Sequence, residues 1–116
     1  MPNETQFVDQ ATLLRLFNET TYSLSAETGE FQTEVVYEGT PRPSSGQTHG
    51  TRSQRVQWYD SSGNWVATVH QFVKPDGSLG GGGKPDPKRV RIGNVVYVLQ
   101  IGSTPKFRGF FRRRRR

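Results

Sequence analysis

The chain has 116 residues with 16 Lys and Arg against 10 Asp and Glu, which gives a formal net charge of +6. This length predicts one domain, and the absence of cysteine excludes disulfides, thiolate metal sites and cysteine nucleophiles. Only His49 and His70 supply imidazoles, so we expect no metal site and no cofactor. Neither a secretory leader nor a run of about 18 apolar residues is visible, which predicts a cytoplasmic protein without a transmembrane segment.

The positive charge is concentrated at the C-terminal end. Residues 103–116 contain seven Lys and Arg and no acidic residue, whereas residues 1–50 contain seven acidic residues and two arginines. The last segment ends in five consecutive arginines, whose mutual repulsion disfavours a folded structure. We predict a single small α+β domain over residues 1–102 and a disordered arginine-rich tail over residues 103–116.

A short amphipathic helix is predicted near the start. Within residues 8–17, apolar side chains recur at the spacing of one helix face: Leu13, Leu14, Leu16 and Phe17. Thr5 or Asp9 is a suitable N-cap residue because its side-chain oxygen can accept a hydrogen bond from the first turn. We expect one helix of about three turns.

From residue 30 onward the sequence is typical of strands. Five strand-like runs are separated by turn-forming residues: 30–38, 54–59, 64–73, 88–92 and 95–101. The short loop 60–63 and Gly93-Asn94 each predict a hairpin turn. Because hairpins join the runs, we predict an antiparallel sheet of about five strands. The run 64–73 is apolar on both faces, which predicts a central position.

Strict alternation also assigns side chains to the two faces of the sheet. It places Tyr37 on the same face as Val35, and Trp65 on the same face as Ala67. It places Val66 on the opposite face.

The C-terminal tail is the strongest functional signal. Seven cations and three phenylalanines combine phosphate neutralisation with rings on which bases stack, which favours RNA or another single-stranded nucleic acid. A solubilising tail, an anchor for anionic membranes and a segment that folds back on the acidic first half are the alternatives. The residues predicted to contact nucleic acid are Arg89, Arg91, Lys106, Phe107, Arg108, Phe110, Phe111, Arg112, Arg113, Arg114, Arg115 and Arg116.

The glycine run 80–83 before Lys84 does not match a phosphate-binding loop of nucleotide hydrolases. That motif needs Ser or Thr after the lysine, and here Pro85 follows. Two interpretations remain open: a flexible connection, or a nest of backbone N–H groups that binds an anion.

His70 is the one candidate proton-transfer residue on a predicted strand. Metal-independent cleavage of RNA needs a general base, a general acid and cations for the phosphorane charge. His70 is predicted as the base or acid, and Asp76 or Asp86 as its partner. The predicted cations are Lys84 and Lys88, with Arg89 or Arg91 as alternatives. The alternative is an inert histidine within the sheet. The order of helix and sheet is loosely similar to that of small cofactor-free bacterial ribonucleases and toxins, and no residue role is carried over from them.

The sequence is compatible with three functions. The first is a small basic nucleic-acid-binding protein that uses its tail and a basic loop, with RNA favoured. The second is a metal-independent endoribonuclease of bacterial toxin type. The third is a module that docks through the basic tail on an acidic protein partner or a membrane surface. The oligomeric state is not indicated by the sequence.

Overall fold

The computed structural model describes residues 4–80 and 83–100. It contains six strands, two short helices and one turn of 3₁₀ helix at Pro43–Ser45. Their bounds are β1 Glu4–Val8, α1 Gln10–Asn18, α2 Tyr22–Glu27, β2 Gln32–Gly39, β3 Arg52–Tyr59, β4 Trp65–Val73, β5 Asp86–Ile92 and β6 Val95–Leu99. The tail 103–116, predicted to be disordered, lies outside the described residues.

The six strands form one mixed sheet in the order β1-β6-β5-β4-β3-β2. The α+β class and the five sequence-predicted strands are confirmed, and β4 lies inside the sheet between β3 and β5. The prediction of a purely antiparallel sheet is wrong, because β1 pairs in parallel with β6. Residues 4–8 have too few apolar side chains to show a strand pattern, so their pairing depends on the free edge that β6 provides.

The predicted helix corresponds to α1, and α2 is a second helix that the sequence analysis did not predict. Asp9 is the N-cap of α1, and its Oδ1 accepts a 2.8 Å hydrogen bond from the Thr12 N–H. After α1, the Thr20 hydroxyl donates to the Phe17 carbonyl (2.6 Å) and accepts from the Tyr22 N–H (3.2 Å). These bonds stabilise the bend between the helices. Neither helix in residues 4–80 and 83–100 is long and apolar enough to cross a membrane.

Both helices pack on the same face of the sheet, which we call the helix face. Tyr22 anchors α2 through its hydroxyl, which donates to the Arg91 carbonyl at 2.7 Å. The rings of Phe17 and Phe31 lie 5.8 Å and 6.4 Å from the ring of Trp58. The buried apolar core consists of Leu13, Phe17, Phe31, Val56, Trp58, Val66, Ala67, Val69 and Val90.

The sheet contains three β-bulges, and two of them reverse face assignments made from the sequence. One lies at Val36, so Val35 pairs with the core residue Val56 whereas Tyr37 pairs with Arg55 on the other face. The second lies at Val66, which is buried in the core, while Trp65 is on the opposite face. The face assignments of Tyr37, Trp65 and Val66 from strict alternation are therefore wrong.

Candidate functional site

The sheet face opposite the helices is the candidate site, and we call it the open face. Residues paired across neighbouring strands project to the same side of a sheet. Thr68 of β4 pairs with Gln57 and Arg89, and His70 pairs with Arg55 and Asp86. Because the core residues and both described helices lie on the helix face, these side chains form a surface that no described helix covers.

Positive charge is concentrated on the open face. Arg55 and Arg89 are exposed, Lys88 and Arg91 are half-buried, and Lys88 lies 3.4 Å from the Asp86 carboxylate. Within residues 4–80 and 83–100, neither Arg55 nor Arg89 has a carboxylate within 4.0 Å. Their charge is therefore available to an anionic ligand.

A polar cluster occupies the middle of the open face. The Gln57 Oε1 accepts hydrogen bonds from the Trp65 indole N–H (2.7 Å) and from the Thr68 hydroxyl (2.6 Å). The Arg91 Nε donates to the Trp65 carbonyl at 2.9 Å. The bond from the indole N–H to Gln57 holds the Trp65 ring against the sheet, beside the basic side chains. The bulge at Val66 is the reason why this ring lies here rather than in the core.

His70 lies on β4 between polar and charged neighbours. Its Nε2 is 2.7 Å from the Ser53 Oγ, and the Phe72 ring packs edge-on against the imidazole with centroids 4.7 Å apart. Burial lowers the pKa of His70 below its usual value of 6.5, and the nearby charge of Lys88 lowers it further. Asp86 acts in the opposite direction, and Arg55 adds to the lowering. The imidazole is consequently neutral at neutral pH.

Two pockets flank His70. The first, which we call the Arg42 pocket, has a volume of about 370 Å³ and lies between β4 and the loop after β2. The second, which we call the Lys84 pocket, has a volume of about 270 Å³ and includes Phe72, Gly80 and Asp86. The Arg42 pocket is lined by Tyr37, Thr40, Pro41, Arg42, Ser44, Ser45, Ser53, Arg55, His70 and Phe72.

The structure brings together most of the predicted site residues that it describes. His70 and Lys84 line one pocket, and Lys88 and Arg89 line another together with Arg55. Asp76 instead lies in the turn after β4. There its Oδ1 accepts from the Ser78 N–H (2.9 Å) and hydroxyl (2.6 Å). These hydrogen bonds lower the pKa of Asp76, and the residue lines neither of the two pockets beside His70.

The tail residues predicted to contact nucleic acid lie outside the described residues: Lys106, Phe107, Arg108, Phe110, Phe111 and Arg112 to Arg116. Sequence reasoning missed Tyr37, Arg42, Ser53 and Arg55. Arg55 pairs with His70 only because of the bulge at Val66, since regular pairing from Tyr59 and Trp65 would place it opposite Val69. No pattern in the sequence indicates that Arg42 is near His70.

The lowered pKa of His70 predicts a pH-dependent stability. Below pH 6.5 the unfolded chain binds a proton at this histidine before the folded chain does, so the free energy of unfolding falls as the pH decreases from 6.5 towards the lowered folded pKa. Urea denaturation at pH 7.5, 6.5 and 5.5 measures this change. His70→Gln should flatten the dependence between pH 6.5 and 5.5. Equal slopes in wild type and His70→Gln would contradict the prediction.

No group of three or more His, Asp or Glu within residues 4–80 and 83–100 is arranged to hold a metal ion.

No family model, curated protein or solved structure matches this chain. The residues of the open face and their geometry are therefore the basis on which a function is inferred.

Proposed function

We propose that this protein binds single-stranded nucleic acid, with RNA favoured, on the open face of its sheet. The observation that carries the proposal is the position of Arg55 and Arg89 on a sheet face that no described helix covers, without a carboxylate within 4.0 Å among residues 4–80 and 83–100. Arginine suits this ligand because its planar group binds phosphate oxygens in pairs and stacks on bases.

Aromatic rings at the margins of this face support a single strand rather than a duplex. Tyr37 on β2 is 61% exposed, and Phe7 on β1 is 64% exposed. Phe7 pairs with Val98, which pairs with Arg89, so its ring is on the open face. Exposed rings beside cations are the usual platform for unpaired bases, and each stacked base contributes about 1–3 kcal/mol. In a duplex the base faces are not accessible.

The proposal is tested by removing charge from the open face. The double variant Lys88→Gln/Arg89→Gln should bind a 12-nucleotide RNA about tenfold more weakly at 50 mM salt. The slope of log affinity against log salt should decrease by about 1.4, at about 0.7 for each lost phosphate contact. Arg15→Gln/Arg52→Gln is the matched control, because it removes the same number of positive charges from side chains that lie off the open face.

Fluorescence anisotropy with labelled RNA, single-stranded DNA and duplex measures both quantities, and circular dichroism verifies the fold of each variant. Equal losses in the two double variants would contradict a specific role of the open face. Binding of anionic vesicles but of no oligonucleotide would favour the membrane alternative.

A second candidate function is metal-independent cleavage of RNA, and the position of His70 favours it. The lowered pKa keeps the imidazole neutral at neutral pH, which a general base requires, and Lys88 and Arg55 are close enough to influence its charge. In this reaction His70 accepts the 2′-OH proton while the 2′-oxygen forms a bond to phosphorus. The bond to the 5′-oxygen breaks, and that oxygen leaves with a proton from water or from the Lys88 ammonium. One product therefore ends in a 2′,3′-cyclic phosphate, and the other begins with a 5′-hydroxyl.

A further inference from the structure

We infer that the Arg42 pocket is a subsite for a single nucleotide, with the base beside Tyr37 and Phe72 and the phosphate on Arg42 and Arg55. This inference rests on the proposed function and adds to it a place where one nucleotide is bound. The ligand class is a base linked to a phosphate, either as a free mononucleotide or as one unit of a strand.

The charge of the pocket favours an anion. Arg42 and Arg55 both line it, and none of its lining residues is acidic. Within residues 4–80 and 83–100, neither arginine has a carboxylate within 4.0 Å. The Lys84 pocket differs, because Asp86 lines it and reduces its positive charge. Of these two pockets, the Arg42 pocket is therefore the better site for a phosphate.

The backbone around Arg42 is restricted before any ligand binds. Pro41 and Pro43 flank this residue, and a following proline disfavours helical backbone angles. Arg42 accordingly has an extended conformation, with φ −65° and ψ 145°. The Ser45 N–H and hydroxyl both donate to the Arg42 carbonyl, at 2.9 Å and 2.7 Å. The guanidinium is thus carried by a stiff turn, which lowers the entropy lost on binding.

The sheet positions two aromatic rings on either side of β3. Tyr37 pairs with Arg55, which pairs with His70, and Phe72 pairs with Ser53. β2 and β4 are two strand spacings apart, roughly 9.5 Å, which leaves room for a flat ring between side chains that rise from them. The volume of about 370 Å³ is within the roughly 300–1,000 Å³ of small-molecule sites.

Gly39 provides the space in which the Tyr37 ring lies. A Cβ added at Gly39 would be 2.6 Å from the Tyr37 hydroxyl oxygen, so the ring extends along its own strand over this glycine. Gly39 has no left-handed backbone angle, and alanine is therefore compatible with its backbone. Gly39→Ala should move the ring and leave the sheet intact, which separates the position of Tyr37 from the folding of the protein.

The test is a titration of isotope-labelled full-length protein with adenosine 5′-monophosphate, adenosine and inorganic phosphate, monitored by NMR. The mononucleotide should shift the resonances of Tyr37, Phe72 and His70, and should bind about tenfold more tightly than adenosine or phosphate alone. Arg42→Gln and Tyr37→Leu should each weaken its binding about five- to tenfold. Gly39→Ala should weaken it about threefold. Tyr37→Phe should restore binding, and Arg15→Gln is the charge control.

The outcomes separate this inference from the proposed function. Equal affinity for adenosine and its monophosphate, shifts confined to other residues, or unchanged binding by both Arg42→Gln and Tyr37→Leu would overturn the subsite. If Lys88→Gln/Arg89→Gln still weakens RNA binding in that case, the open face remains the binding surface. Mononucleotide binding in the pocket without oligonucleotide binding would instead support a site for free nucleotides and contradict the proposed function.

Discussion

Removal of residues 103–116 is expected to lower the affinity for single-stranded RNA by about two to four orders of magnitude at 50 mM salt. The deletion removes seven of the 16 Lys and Arg and leaves a formal net charge of −1. Because each phosphate contact contributes about 0.7 to the salt slope of a single strand, the slope should decrease by about 3 to 5. Anisotropy titrations of the full chain and the deletion variant at several salt concentrations measure this change.

Two further variants separate charge from stacking in the tail. Replacement of residues 103–116 by a Gly/Ser segment of equal length should reproduce the deletion, since length alone contributes no affinity. Leucine at Phe107, Phe110 and Phe111 should weaken binding and leave the salt slope unchanged, because stacking releases no counterions. If the deletion variant binds RNA as tightly as the full chain, the tail makes no contact and the open face alone is the binding surface.

His70→Gln is expected to lower the rate of RNA cleavage by about two to four orders of magnitude, the usual contribution of a general acid or base. Glutamine retains a polar side chain but cannot titrate near neutral pH. Affinity for RNA should change little, since the arginines remain. The wild-type rate should rise with pH and reach half of its plateau value at a pH below 6.5, because the pKa of His70 is lowered. Cleavage should persist in EDTA.

His49→Gln is the matched control for cleavage, because His49 is an exposed loop residue outside the pockets beside His70. Gel analysis with end-group identification should find 2′,3′-cyclic or 3′-phosphate ends in wild type and in this control. Complete absence of cleavage by wild type would contradict the second candidate function. A rate equal to that of wild type in His70→Gln would exclude this imidazole from the reaction.

Local sequence patterns were sufficient to predict most elements of the sheet. Gly93-Asn94 forms the predicted turn between β5 and β6, and Gly93 has the positive φ (61°) that glycine permits. The loop between β3 and β4 is likewise stabilised within itself, because the Asp60 carboxylate accepts from the Ser62 and Asn64 N–H groups, each at 2.9 Å. Such features depend on residues within a few positions of each other and are therefore visible in a sequence.

The sequence by itself also determined the charge distribution, the lack of cysteine, and His70 as a candidate proton-transfer residue. It did not determine β1, because the pairing of residues 4–8 depends on β6, which lies about 90 residues away in the chain. The bulges were hidden for a related reason: an extra residue in a strand is recognised only against its partner strand. The bulges at Val36 and Val66 place Tyr37 and Trp65 on the open face. Only the tertiary structure placed Arg42 and Arg55 in one pocket with His70, because loop packing and strand register bring together residues that are distant in sequence.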